Sequence, residues 1–194
     1  MQQFSFHTTS IGQLVRIRPF VAPDQRGYLS KSFEHEIFEQ HGIHLTPYEE
    51  LTSLSKKGVL RGLHFQREYS QDKLVRVLRG AVFDVAVDLR AGSPTFGRWE
   101  GVYLSAENRE MFYIPKGFAH GFLALEEDTL FSYLCGDRYD PASDGGVRWD
   151  DPELAVDWPL DRVSGPILTD KDRALPTLAE FRARYGGLEG EVNP

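Results

Sequence analysis

The stretch Ala81-Val-Phe-Asp-Val-Ala-Val-Asp-Leu89 decides the fold class. Taken with a period of two, Phe83, Val85, Val87 and Leu89 share one face, and Val82, Asp84, Ala86 and Asp88 share the other. Successive side chains of a β-strand point to opposite sides of the sheet, so this alternation predicts a strand. Outward from it lie more short runs of β-branched and aromatic residues: Val59–Phe65, Leu74–Leu78, Gly101–Leu104, Met111–Ile114, Gly121–Leu125 and Thr129–Leu134. The chain's eleven prolines and eighteen glycines are scattered between them as turn signals. Many short strands separated by turns predict an all-β sandwich or barrel.

Helix signals are confined to the two ends. Ser32 is placed to cap a helix over Phe33–His41, with Gly42 as its stop. Thr177-Leu-Ala-Glu180, after Pro176, reads as a capping box that opens a helix through about Tyr185. The tail Gly186–Pro194 carries no element signal and is expected to be poorly ordered unless a partner holds it.

The chain has 194 residues, which predicts one domain over residues 1–194, long enough for a core without staples. With 41% hydrophobic and 26% charged residues, the composition is that of a globular protein. No apolar run reaches the roughly 18 residues of a membrane span. MQQFSFHTTS shows no basic stretch followed by an apolar core, so secretion is not expected. The single cysteine, Cys135, rules out an internal disulfide and a cysteine-built metal site, and fits a reducing cytoplasm. A net charge of −7 without a basic run argues against nucleic acid as partner, but leaves room for a small anionic ligand held by a few local cations.

Two segments carry candidate chemistry. In Gly58-Val-Leu-Arg-Gly-Leu-His64-Phe-Gln66, strict alternation puts Leu60, Gly62, His64 and Gln66 on one face, with Val59, Arg61, Leu63 and Phe65 on the other. Ile114-Pro-Lys-Gly-Phe-Ala-His120 is a turn running into a strand. Each histidine could equally be a hydrogen-bonded core residue. In order, Gly-x5-His and Pro-x-Gly-x-x-His resemble the two half-motifs of the cupin superfamily, a double-sheet jelly roll, which turns His64 and His120 into the barrel. Metal-binding cupins supply His-x-His in the first motif. Gln66 takes the place of the second histidine, and Glu68 could contribute only if its loop bent inward, so no metal is expected. Imidazole without a metal is suited to proton transfer near neutrality. Asp170 and Asp172 in a late loop, and Tyr133 in an alternating strand, are candidate partners whose bland reading is a solvated loop and a core aromatic.

Six ordered blocks extend the likeness: Val59–Gln66, Val82–Arg90, Gly92–Trp99, Leu104–Asn108, Ile114–Phe122 and Trp149–Pro152. From about Ile17 to Leu175 the chain resembles the dTDP-4-dehydrorhamnose 3,5-epimerase family, cupin-type enzymes acting on a nucleotide diphosphate sugar. The resemblance implies that His64 is the general base at C3 and C5 of a 4-keto sugar, and that Asp172 is its paired carboxylate. It makes Tyr133 the acid on the opposite face and Lys73 the cation beside O4. By the same resemblance His120 binds the sugar, Arg26, Arg61 and Lys171 surround the diphosphate, and Asp144 and Glu49 take ligand-binding positions. It further implies a homodimer with exchanged strands and no cofactor. Three positions depart from the family pattern: Lys31 stands where a glutamate is usual, Glu49 where a glutamine is, and Leu51 where an asparagine is. A Lys31–Glu49 ion pair would restore the usual charge balance in reverse. The same residues are open to a C3-only or C5-only epimerase, to another nucleotide sugar, and to a non-catalytic sugar-binding cupin.

Overall fold

The structure is a computed structural model that describes residues 3–192. In chain order the strands are β1 (Ser5–Thr8), β2 (Val15–Arg18), β3 (Phe20–Asp24), β4 (Gly27–Lys31), β5 (Glu49–Ser55), β6 (Leu60–Gln66), β7 (Lys73–Arg79), β8 (Ala81–Asp88), β9 (Trp99–Ser105), β10 (Met111–Ile114), β11 (Phe118–Ala124), β12 (Thr129–Cys135) and β13 (Asp144–Gly146). The helices are α1 (His35–Gln40), α2 (Asp170–Arg173) and α3 (Leu178–Tyr185), and none of them is long and apolar enough to cross a membrane. Six strands form one sheet in the order β1-β2-β10-β7-β12-β5, and five form a second in the order β13-β6-β11-β8-β9. Strands β3 and β4 make a separate hairpin. Two antiparallel sheets packed face to face make the sandwich that the strand pattern predicts and the jelly roll that the cupin half-motifs imply.

The predicted alternation of β8 sorts the core into layers. Val82 and Ala86 point between the sheets, where they meet Val75, Phe112, Phe122 and Phe131. Phe122 and Phe131 stack across the sandwich with ring centroids 4.5 Å apart. Phe83, Val85, Val87 and Leu89 point outward and are covered by Trp158, Leu178, Phe181 and Leu188. A third cluster seats Phe38 of α1 against Ile17, Leu74 and Met111. Burying each large apolar side chain contributes roughly 1.5–3 kcal/mol, so the C-terminal segment is an integral cover of the second sheet.

That cover corrects the expectation of a loose tail. Leu188 N–H donates to Leu89 O at 2.7 Å, and Ala91 N–H donates to Leu188 O at 2.9 Å. Arg90 Nη1 donates to Glu191 O at 2.6 Å. Residues 186–192 are tied to the sheet by backbone bonds and by the buried Leu188, and Asn193 and Pro194 lie outside the described residues. The capping box holds: Thr177 and Glu180 exchange side-chain and backbone bonds, and Gly186 ends α3 at φ +72°. The Ser32 cap does not. Helix α1 starts at His35, after Glu34, with no side-chain cap, and Gly42 (φ +72°) follows its end. The short helix is held by Phe38 in the core rather than by its first turn.

Strand β6 departs from strict alternation. His64 lies opposite His120, while Arg61 lies opposite Phe122, so three steps along β6 match two along β11. This β-bulge returns Arg61 to the face of His64 and turns Leu60 outward. Glycines let the strands touch there. A Cβ on Gly62 would lie 2.6 Å from Gly121 Cα, and a Cβ on Gly121 would lie 2.6 Å from Arg61 O.

Candidate active site

The pocket is built on facing strands of the two sheets. Register places Lys73, Cys135 and Glu49 side by side across β7, β12 and β5, and Val75, Tyr133 and Leu51 in the next row. From the other sheet come His64 and Arg61 on β6, His120 on β11 and Asp84 on β8.

His64 Nε2 lies 2.5 Å from Asp172 Oδ1. The carboxylate is delivered by α2, a single turn where the sequence suggested only a loop. Thr169 caps that turn by accepting from Asp172 N–H at 3.2 Å, and its hydroxyl donates to Asp172 Oδ2 at 2.7 Å. Burial works against a charge on Asp172, but the bonds from His64 and Thr169 outweigh it and hold its pKa below the usual carboxylate value. Both oxygens are thereby fixed, so the imidazole is oriented by a rigid anion. The histidine is still 32% exposed at its side chain, and its partner only 4%. The imidazole can therefore trade protons with water while the carboxylate beside it cannot.

His120 has a carboxylate partner of its own. Its Nε2 lies 2.9 Å from Asp84 Oδ2, with both residues buried. Burial pushes the Asp84 carboxyl above its ordinary pKa, against the pull of His120 and Lys73. The Tyr133 ring stands edge-on to His120 with centroids 6.0 Å apart, and its hydroxyl is 3.4 Å from Ser53 Oγ. Burial raises the Tyr133 pKa, so the phenol keeps its proton at neutral pH. Lys73 is pushed down by burial and pulled back up by Cys135, Asp144, Asp84 and Glu49. The net shift is downward, and among the described residues its side chain makes no hydrogen bond or ion pair, which leaves the amino group free to meet a ligand oxygen.

At the rim, Lys171 Nζ pairs with Asp144 Oδ2, which also accepts from the Tyr139 hydroxyl at 3.0 Å. Arg61 Nε donates to Ser55 Oγ at 3.3 Å. Glu49 accepts from Gln71 Nε2 at 2.9 Å, and Gln71 also donates to Asp137 O at 2.7 Å. The Lys31–Glu49 pair is not formed: Lys31 Nζ bonds Glu34 Oε2 at 2.5 Å, three residues away on its own segment. Leu51, beside Tyr133, is 45% exposed. Arg26 is not gathered with the others. It sits at the turn of the β3–β4 hairpin, 84% exposed at its side chain, and pairs with Asp24 at 2.6 Å. Gln66 spends its amide on loops, donating to Tyr69 O and Arg138 O and accepting from Asp140 N–H. A separate cleft of about 1130 Å³, lined in part by His41, Asp72, Tyr113 and Lys116, contains none of the residues of this pocket.

Sequence reasoning missed Asp84, Thr169, Gln71 and Tyr139. Asp84 had a usable signal, since an aspartate in the middle of an apolar strand must find a partner. Thr169 and Tyr139 bond carboxylates only three and five residues away, a local signal the sequence also carried, whereas Gln71 owes its place to contacts 22 and 66 residues away.

Residues 8–180 match the family model described as dTDP-4-dehydrorhamnose 3,5-epimerase. An enzyme of that name from Methanothermobacter thermautotrophicus is 49% identical over 180 residues, covering 93% of this chain and 97% of the relative. Among solved structures, dTDP-6-deoxy-D-glucose-3,5-epimerase from Legionella pneumophila, in complex with dTDP-4-keto-L-rhamnose, superposes with a TM-score of 0.92 at 44% identity. The match covers 98% of this chain and 100% of that one. A 3'-monoepimerase from Streptomyces bikiniensis in complex with dTDP-quinovose superposes with a TM-score of 0.86 at 38% identity, covering 95% and 92%.

Proposed function

This chain belongs to the dTDP-4-dehydrorhamnose 3,5-epimerase family, and from that premise we propose which groups of the pocket carry the reaction. The enzyme is an isomerase of cupin fold that inverts C3 and C5 of a dTDP-4-keto-6-deoxy sugar. The observation that carries the residue assignment is the His64–Asp172 contact of 2.5 Å in a pocket that also holds Tyr133 and an unpaired Lys73.

A ketone at C4 acidifies the hydrogens at C3 and at C5. Removing either gives an enolate whose charge rests on O4. His64 takes the proton, and Asp172 holds its ring and stabilises the imidazolium. Lys73 stands beside O4, where its charge counts most in the transition state. Tyr133 returns a proton from the other face and so inverts the centre. His120 and Glu49 hold the sugar end, while Arg61, Lys171 and Asp144 line the way to the diphosphate; a guanidinium fork suits its oxygens. No step calls for a cofactor.

The proposal includes a homodimer working in the cytoplasm. Tyr28 and Leu29 of the hairpin, and Leu51 and Leu54 of the edge strand β5, are 56%, 70%, 45% and 57% exposed. A second copy docked on the β5 edge and the hairpin would cover these side chains. Within one chain Arg26 lies away from the pocket, so its assignment to the diphosphate depends on that second copy.

The test is incubation with dTDP-4-keto-6-deoxy-D-glucose in D₂O, followed by NMR of the sugar. Deuterium at both C3 and C5 with inverted product is expected. Deuterium at C3 alone would identify a monoepimerase, as in the Streptomyces relative, and none at either carbon would end the epimerase reading.

A further inference from the structure

Asp84 is a fully buried carboxylate to which the reaction above gives no part. Its Oδ2 faces His120 Nε2, and its Oδ1 is buried with no hydrogen-bond partner among the described residues. A buried acid that leaves an oxygen bare is poor architecture, because an apolar residue of similar size would serve stability as well. The histidine it holds lies directly opposite His64 in the β6–β11 ladder and edge-on to Tyr133. Among the described residues its Nδ1 makes no hydrogen bond. A carboxylate that accepts from Nε2–H leaves Nδ1 as an acceptor.

Building on the epimerase reading, we propose that Asp84 is a positioning residue: it locks His120 in the Nε2–H tautomer, so that Nδ1 accepts from a hydroxyl of the bound sugar, and its bare oxygen supplies negative charge facing Lys73. The titratable groups whose charge acts on Lys73 are Cys135 on β12, its register partner, with Asp144 on β13, Asp84 on β8 and Glu49 on β5. Of the three carboxylates, Asp144 is engaged by Lys171 and Tyr139, and Glu49 by Gln71. Each of the three leaves one oxygen without a hydrogen bond among the described residues, but only that of Asp84 is buried.

The experiment uses the full chain. In ¹⁵N-histidine-labelled wild type without substrate, His120 should show the Nε2–H tautomer across neutral pH. In Asp84→Asn the amide can donate to Nε2 instead, and the ring should turn to the Nδ1–H tautomer. The same variant should lose about a hundredfold in kcat/KM. The alkaline limb of its kcat profile should move to lower pH, because removing a negative charge makes Lys73 give up its proton more readily; Lys73→Arg, charged throughout the range, should lack that limb. A residue that only fills space would alter thermal stability without moving tautomer or limb. A wild-type His120 in the Nδ1–H form, or an Asp84→Asn variant with an unmoved limb, overturns the proposal. The wild-type tautomer is read even if the variant fails to fold. It is also independent of turnover, so failure of the wild type to exchange deuterium would sink the epimerase reading separately.

Discussion

Two histidine–carboxylate pairs stand in one barrel, and they are built for different work. His64 and Asp172 are 108 residues apart, with the acid brought by a one-turn helix from outside the sheets. His120 and Asp84 lie on adjacent strands, β11 and β8, and are sealed from solvent, with side-chain exposures of 4% and 0%. The first pair leaves its imidazole 32% exposed. A base that must exchange a substrate proton with water needs such access, whereas a residue that only holds the substrate gains from being rigid and dry. Both pairs join an imidazole to a carboxylate, but burial pushes the Asp84 pKa up while its hydrogen bonds hold that of Asp172 down, and the proposed roles divide along the same difference in access to water.

The largest expected effect tests this division directly. His64→Ala should lower deuterium exchange at C3 and C5 by about 10³–10⁴, the upper range for a general base, while His120→Asn should retain exchange that NMR can follow. Equal losses in the two variants would erase the distinction between the pairs. Tyr133→Phe comes next. It removes only a hydroxyl from a packed ring, so the fold should survive. Inversion should fall by about 10²–10³ while exchange at C3 continues, because exchange needs the base and Lys73 but no donor on the opposite face. Inversion at the wild-type rate would return Tyr133 to a packing role and make His120 the next candidate for the acid.

The smallest effect concerns stability. Replacing Asp172 by Asn should lower turnover and leave substrate binding nearly unchanged, as loss of an orienting carboxylate predicts. The bonds from His64 and Thr169 hold the folded-state pKa of Asp172 below its ordinary 3.8. Its ionised form therefore adds stability above that pH, and the gain is lost as pH falls through the lowered value. The wild type should be more stable than Asp172→Asn by about 1–3 kcal/mol near pH 7, and the difference in melting temperature should shrink below about pH 4. A difference that stays constant into acid would mean that the carboxylate charge contributes nothing to the fold.

Short-range patterns foretold much of this molecule. The two-residue period of Ala81–Leu89 gave the strand and the faces of its side chains, because alternation is a property of the extended backbone itself. The Thr177–Glu180 box gave the start of α3, because a cap is made among neighbours. The half-motifs gave His64 and His120, and the family resemblance named Lys73 and Tyr133; the sheets bring the four into one pocket. Tertiary structure decided the rest. The bulge at Gly62, where two glycine backbones meet, set Arg61 on the face of His64 against the strict alternation of its own strand. The tail is ordered because Leu188 finds an apolar site and a backbone partner about a hundred residues upstream, at Leu89. Asp84 meets His120 because β8 lies beside β11, and Lys31 turns to Glu34 because that acid lies three residues away, whereas Glu49 is held by Gln71. Backbone period, turns and caps depend on a few adjacent residues and can be read locally. Which groups meet across the pocket depends on how the sheets close, and no short window of sequence contains both His64 and Asp172, or both Asp84 and His120.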